Sequence, residues 1–172
     1  MEDRELIIRF IKEQNDAYFE QLYDRYASVV YGRITGYLGD VAASKDVAQE
    51  VWVKIYFNLK SFEFRSAFST WLYRIVTNEC INWIRGKKTA IPLEDVENKI
   101  EDNSLEKETD LNIDVTNLLD KVSKEERVLL MLKYVEGYSY KEISKRLDLK
   151  ESAVKMRVLR AKSKIVESES YE

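Results

Sequence analysis

Apolar side chains recur at three- and four-residue steps along most of the chain and nowhere alternate over the length of a strand, so helices are the elements it can form. One proline and five glycines in 172 residues rarely interrupt these runs. The fold class expected is all-α. Phe19, Leu22, Tyr26, Val29, Val30, Ile34 and Tyr37 make one stripe on a first helix of about five turns that Gly39 and Asp40 end. A second helix opens near Ser44, sets Asp46 in its first turn where the helix dipole favours an acid, and buries Val47, Val51, Ile55 and Leu59. A third runs from Ser69 or Thr70 to Arg85 and Gly86 and buries Leu72, Ile75, Val76 and Trp83.

The pattern stops at Thr89 and returns near Ile113. Residues 89–115 contain Pro92 and nine acids against two cations, too polar a stretch to order itself by burial. Two small helical domains, 1–88 and 116–172, joined by a flexible acidic linker at 89–115, are therefore expected. In the second domain Leu118, Leu119 and Val122 precede Ser123-Lys-Glu-Glu126, a capping box in which a serine and a glutamate satisfy each other's backbone amides. Val128, Leu129, Leu132 and Val135 follow, and Gly137 closes that helix. A second box, Ser139-Tyr-Lys-Glu142, opens a short helix with Ile143 and Leu147 inward; after a turn at Asp148-Leu149-Lys150, a longer helix carries Val154, Val158, Ala161 and Ile165.

With no histidine and Cys80 as the single cysteine, the chain lacks the common general base and the usual zinc-ligand sets. No catalytic residue, metal or cofactor is expected. No run approaches the roughly 18 apolar residues of a membrane helix, and the acidic start MEDRELIIRF is unlike a secretory signal. A cytoplasmic protein without membrane insertion is expected. The net charge of −3 opposes DNA binding on average, yet residues 150–164 hold Lys150, Lys155, Arg157, Arg160, Lys162 and Lys164 against Glu151 alone.

Short helix, tight turn and longer basic helix make a helix-turn-helix, whose second helix can enter a major groove. Lys150, Glu151, Ser152, Lys155, Met156 and Arg157 would face the groove, and Arg160, Lys162 and Lys164 could neutralise phosphates. The same pattern also fits a helical hairpin with a solvated cationic face. In the first domain Arg74, Asn78, Asn82 and Arg85 share one helical face, and Lys87 and Lys88 extend it. The preceding loop is rich in aromatics and small hydroxyls, which suits unpaired bases. Phe62, Phe68 and Trp71 read more readily as core. Asp46, Gln49, Glu50, Val53 and Lys54 form an exposed face on the second helix, with Trp52 and Tyr56 at its flank; a docking face and an ordinary solvated surface both fit it.

Four segments in this order resemble the extracytoplasmic-function subfamily of sigma-70 factors: Tyr18 to Tyr26, Asp46 to Ile55, Phe68 to Arg85, and Ser139 to Arg157. The resemblance runs from about Tyr18 to Ile165. It implies that Asp46, Gln49, Glu50, Val53 and Lys54 dock on the clamp helices of the largest subunit of bacterial core RNA polymerase. It implies that Arg65, Ser66, Ser69, Trp71, Tyr73, Arg74, Asn78, Asn82, Arg85, Lys87 and Lys88 bind the minus-ten element, with the Phe64 to Ser69 loop as the pocket for an extruded base. It further implies that Lys150, Glu151, Ser152, Lys155, Met156, Arg157, Arg160 and Lys164 read minus-thirty-five promoter DNA. The linker would thread through polymerase. An anti-sigma factor, a class that includes membrane-anchored proteins, would be a further partner. Four positions depart from the family: Asp148 stands where glycine is frequent at the turn, Lys150 where a serine cap is frequent, and Ala153 and Met156 where small polar residues are. Ser152 could cap one position later. The rival functions are a stand-alone helix-turn-helix regulator with a palindromic site and a helical adaptor that binds protein only.

Overall fold

The computed structural model describes residues 1–86 and 117–170. The stretch expected as a linker, 89–115, and Lys87 and Lys88 lie outside the described residues. Among the described residues the regular elements are all helical. The chain divides into two compact units, Met1–Ile34 with Asp40–Asn103, and Thr35–Gly39 with Ser104–Glu172.

Among the described residues of the first unit four α-helices stand where three were expected. The additional one, α1 (Asp3–Glu13), buries Leu6, Ile7 and Phe10 and ends at Gln14 in the left-handed region, φ 50°. Asp3 accepts hydrogen bonds from Arg25 and from the Tyr26 hydroxyl, which ties α1 to the next helix. Burial, then the Asp3 bond, pushes the Tyr26 phenol well above its ordinary value. Helix α2 (Asp16–Leu38) is longer than expected because the Asn15 side chain caps it, accepting from the Ala17 amide at 3.0 Å. Helix α3 (Val41–Asn58) likewise opens before Ser44, since the Asp40 carboxylate accepts from the Ala43 amide at 3.0 Å. A 3-10 turn (Leu59–Ser61) and a loop lead into α4 (Phe68–Ile84).

Leu22, Val30, Ile34, Val51, Ile55, Leu72 and Val76 make the centre of this unit and are buried. Each such side chain contributes on the order of 1.5–3 kcal/mol when taken out of water. Trp83 was expected among them and is not: it is 43% exposed, on the last turn of α4. Cys80 is buried.

In the second unit α5 (Lys124–Leu130) carries the first capping box: the Ser123 amide donates to Glu126 at 2.9 Å and the Glu126 amide to Ser123 Oγ at 3.2 Å. The helix widens into a π turn, Met131–Val135, before Gly137 at φ 76°. Helix α6 (Tyr140–Leu147) carries the second box, at 2.7 and 3.1 Å. It ends on Asp148, φ 52° and ψ 49°, so an aspartate occupies the left-handed position expected of it. The turn is stitched by Ser144, whose carbonyl accepts from the Leu149 amide at 3.0 Å and whose hydroxyl donates to the Leu149 carbonyl at 2.7 Å. Helix α7 (Glu151–Glu169) starts after Lys150 with no side-chain cap. Ser152 is already inside the helix and does not replace it.

The left-handed turn costs a β-branched residue about 1–2 kcal/mol more than it costs glycine. Asp148→Val should therefore lower stability by that amount in urea unfolding while Asp148→Gly should not; equal losses in both would place the cost elsewhere than in the backbone.

Candidate nucleic-acid and partner interfaces

Val154, Val158 and Ala161 are fully buried along one side of α7. At 3.6 residues per turn this forces the residues between them outward. Lys150, Glu151, Ser152, Lys155, Met156, Arg157, Arg160, Lys162 and Lys164 are all exposed. Two of the cations are partly committed to the fold: Lys164 forms an ion pair with Glu126, and Lys162 lies 5.8 Å from the Tyr134 ring centroid. Lys155, Arg157 and Arg160 carry no such contact among the described residues. Met156, half exposed, gives the face an apolar centre.

On α3 the structure brings Asp46, Gln49, Glu50 and Val53 together on an open surface. Lys54 is not part of it: its ammonium pairs with Glu79 of α4 and is partly buried. Trp52 is packed inward against Tyr23 and Phe19, at 4.8 and 6.0 Å between ring centroids. Tyr56 donates to Asp16 at 2.8 Å, a bond that raises its pKa. One exposed residue was missed. Phe57 is 73% exposed, one turn beyond Val53 on the same side. Its spacing from Val53 was visible, but a lone phenylalanine in a helical run reads as core.

The face expected on α4 is only half open. Arg85 is exposed and Arg74 partly so, but Asn78 and Asn82 are buried at 9% and 7% exposure. The reason is that α4 is covered around its middle turns, with Ile75, Val76, Thr77, Cys80 and Ile81 buried as well. Shared helical spacing does not imply shared exposure on such a helix. Trp71, 3% exposed, is also core: its ring lies 5.2 Å from Phe62 and 5.8 Å from Phe68. Tyr73 is half buried under the Arg33 guanidinium, 3.8 Å away. In the loop before α4, Arg65 is exposed and pairs with Glu63 at 2.6 Å, while Ser66 and Ser69 are half exposed. Among the described residues no group of side chains could hold a metal ion, and no helix is long and apolar enough to cross a membrane.

Residues 22–89 match the family model of sigma-70 region 2, and residues 113–165 match that of sigma-70 region 4. The chain is 30% identical over 170 residues to the extracytoplasmic-function RNA polymerase sigma factor SigW of Bacillus subtilis, covering 90% of each. It belongs to the extracytoplasmic-function sigma factors. A second relative, the RNA polymerase sigma-H factor of Pseudomonas aeruginosa, is 29% identical over 95% of this chain and 92% of its own. The fold matches that of CnrH, solved with the cytosolic domain of CnrY, at a TM-score of 0.54 and 24% identity over 99% of this chain and 98% of that one. As a sigma factor the protein binds core RNA polymerase and promoter DNA and serves transcription initiation. A stand-alone regulator is not favoured, since both sigma regions are present in order.

The sigma factor's Glu126 carboxyl is held below its ordinary value of 4.5 by the Lys164 ammonium, then by the Ser123 amide. A depressed carboxyl contributes stability that is present above the unfolded value and lost as pH falls through the folded one. Glu126→Gln should therefore lower the melting temperature at neutral pH, and the gap to wild type should close as pH falls below 4.5; a gap independent of pH would assign the loss to the cap alone.

Proposed function

We propose that residues 1–88 act as sigma region 2, 89–115 as the connector, and 116–172 as region 4, and that promoter opening is driven by binding rather than by catalysed chemistry. The reading rests on the cationic face of α7, where Lys155, Arg157 and Arg160 carry no ion pair among the described residues, backed by an apolar side that fixes its orientation. Arg157 and Lys155 meet base edges of the minus-thirty-five element, Met156 offers an apolar contact to a thymine methyl, and Lys150, Glu151 and Ser152 lie at the groove entrance. Arg160 and Lys162 contact phosphates, with Lys164 shared between DNA and Glu126.

In the first domain Asp46, Gln49, Glu50 and Val53 dock on the clamp helices of core polymerase. Arg65, Ser66 and Ser69 line the site for an unpaired minus-ten base, while Arg74, Arg85, Lys87 and Lys88 hold the strand's phosphates. Trp71, Tyr73, Asn78 and Asn82 support this surface from within. Lys54 fastens α3 to α4 instead of touching polymerase. Unstacking costs a few kcal/mol per step, and stacking returns about 1–3 kcal/mol per base, so no nucleotide hydrolysis is required. The protein works in the cytoplasm, and an anti-sigma factor controls its access to polymerase, a reading supported by the similar fold of the Bartonella quintana sigma factor RpoE, solved in complex with the anti-sigma factor NepR.

The test is run-off transcription from genomic DNA. Transcripts should appear when core polymerase and protein are combined and with neither alone. Tight duplex binding without polymerase, and no transcripts, would restore the regulator reading. Glu50→Lys should weaken polymerase affinity without altering α7, whereas Arg157→Ala should cost about 1–3 kcal/mol of upstream recognition. Unchanged minus-thirty-five footprints in Arg157→Ala would remove α7 as the reading helix.

A further inference from the structure

A cleft of about 260 Å³ opens between the start of α1 and the loop before α4, lined by Glu2, Asp3, Arg4, Phe62, Phe64 and Ser66 among others. Three aromatic rings form part of it, Phe62, Phe64 and Phe68, the first two with centroids 4.8 Å apart. Phe64 holds φ at 57°, a conformation rare for a bulky side chain and concentrated at functional sites. The Arg4 guanidinium lies 4.8 Å from the Phe64 ring centroid, so α1 contributes a planar cation to a wall otherwise built by the loop.

The charges restrict what the cleft can take. Two carboxylates line it beside the single guanidinium, an arrangement that disfavours a phosphate. Asp3 is engaged by Arg25 and Tyr26. Glu2 caps α1 by position but makes no side-chain cap bond, which leaves its carboxylate able to accept elsewhere. A carboxylate only accepts, so it pairs with a donating edge, and an exocyclic amine supplies one: N6 of adenine, N4 of cytosine or N2 of guanine. Aromatic faces with a guanidinium beside them suit the flat of an unpaired base.

We propose that Arg4 and Glu2 of α1 complete this cleft as the pocket for an unpaired base bearing an exocyclic amine, adenine, cytosine or guanine as against thymine, Arg4 covering the ring and Glu2 receiving the amine. This rests on the reading of the loop as the base-trapping element. Helix α1 thereby helps to set which base is accepted as well as supporting the fold.

The experiment uses holoenzyme of the full chain with core polymerase, on a promoter obtained by run-off transcription. Each non-template base of the minus-ten element is replaced in turn by an abasic residue, and open complex is scored by permanganate reactivity. On intact DNA, Arg4→Ala and the loop variant Phe64→Leu should each lower open-complex yield about two- to fivefold, the range of an exposed cation–π contact. Both effects should vanish at one and the same abasic position. At that position Glu2→Ala should narrow the preference for the amine-bearing bases over thymine. Should the Phe64 variant melt early, Arg65→Ala serves as the loop variant. If the Arg4→Ala defect persists at the position where the loop variant's defect disappears, α1 is no part of the pocket and the loop reading stands. If no abasic position relieves either variant, the loop reading falls and the pocket with it.

Discussion

The function of the second unit depends on the complete burial of Val154, Val158 and Ala161 beneath α7. Removing any of the larger two side chains would leave a cavity in a unit small enough to feel it, at about 0.5–1.5 kcal/mol per methyl-sized loss and more for full truncation. That packing sets the rotation of the helix, and the rotation sets which residues face outward. Six cations between Lys150 and Lys164 are turned to solvent for this reason. The turn at Asp148 and the two capping boxes then fix where the helix begins and how α5 and α6 prop it. Surface ion pairs such as Lys164 with Glu126 contribute about 0–1 kcal/mol and act as trim on this arrangement.

The first unit solves a different problem. Helix α4 is covered on several sides, so its polar residues Thr77, Asn78 and Asn82 sit inside. Of the face expected on it, Arg74, partly exposed in the second turn, and Arg85, exposed just past the finish, remain open. The loop before it carries the aromatic content, and there the rings sort by depth: Phe62, Phe68 and Trp71 inside, Phe64 half exposed. A rigid aromatic cluster beneath a half-exposed ring is a firm base for a site that must hold a flat ligand.

The second domain was legible from the residues almost in full. Serine and glutamate at three-residue spacing, an aspartate at the turn, and one apolar stripe per helix are local signals that leave few alternatives. The first domain was legible in outline, with instructive exceptions. Helix α1 was missed because Leu6, Ile7 and Phe10 are a brief pattern among charges, and because the family resemblance begins after it. Trp83 was misjudged, a large aromatic expected to be buried that is exposed. Asn78 and Asn82 erred the other way, since helical spacing defines a face but not what covers it. Lys54 looked solvent-facing until its partner Glu79, 25 residues along, closed on it. Each of these depends on a neighbour from another helix, which no local pattern records.

The π turn at Met131–Val135 has a consequence for how this unit can vary. A π turn holds one residue more than the α turn it replaces. Deleting a single residue within it would leave a regular helix but rotate everything beyond by about 100° and shift it by about 1.5 Å. Gly137 and the capping serine of α6 would then enter at a different angle, and α7 with them. Chain length at this one place thus acts as a gear tooth: one residue more or fewer would turn the cationic face away from where it now points.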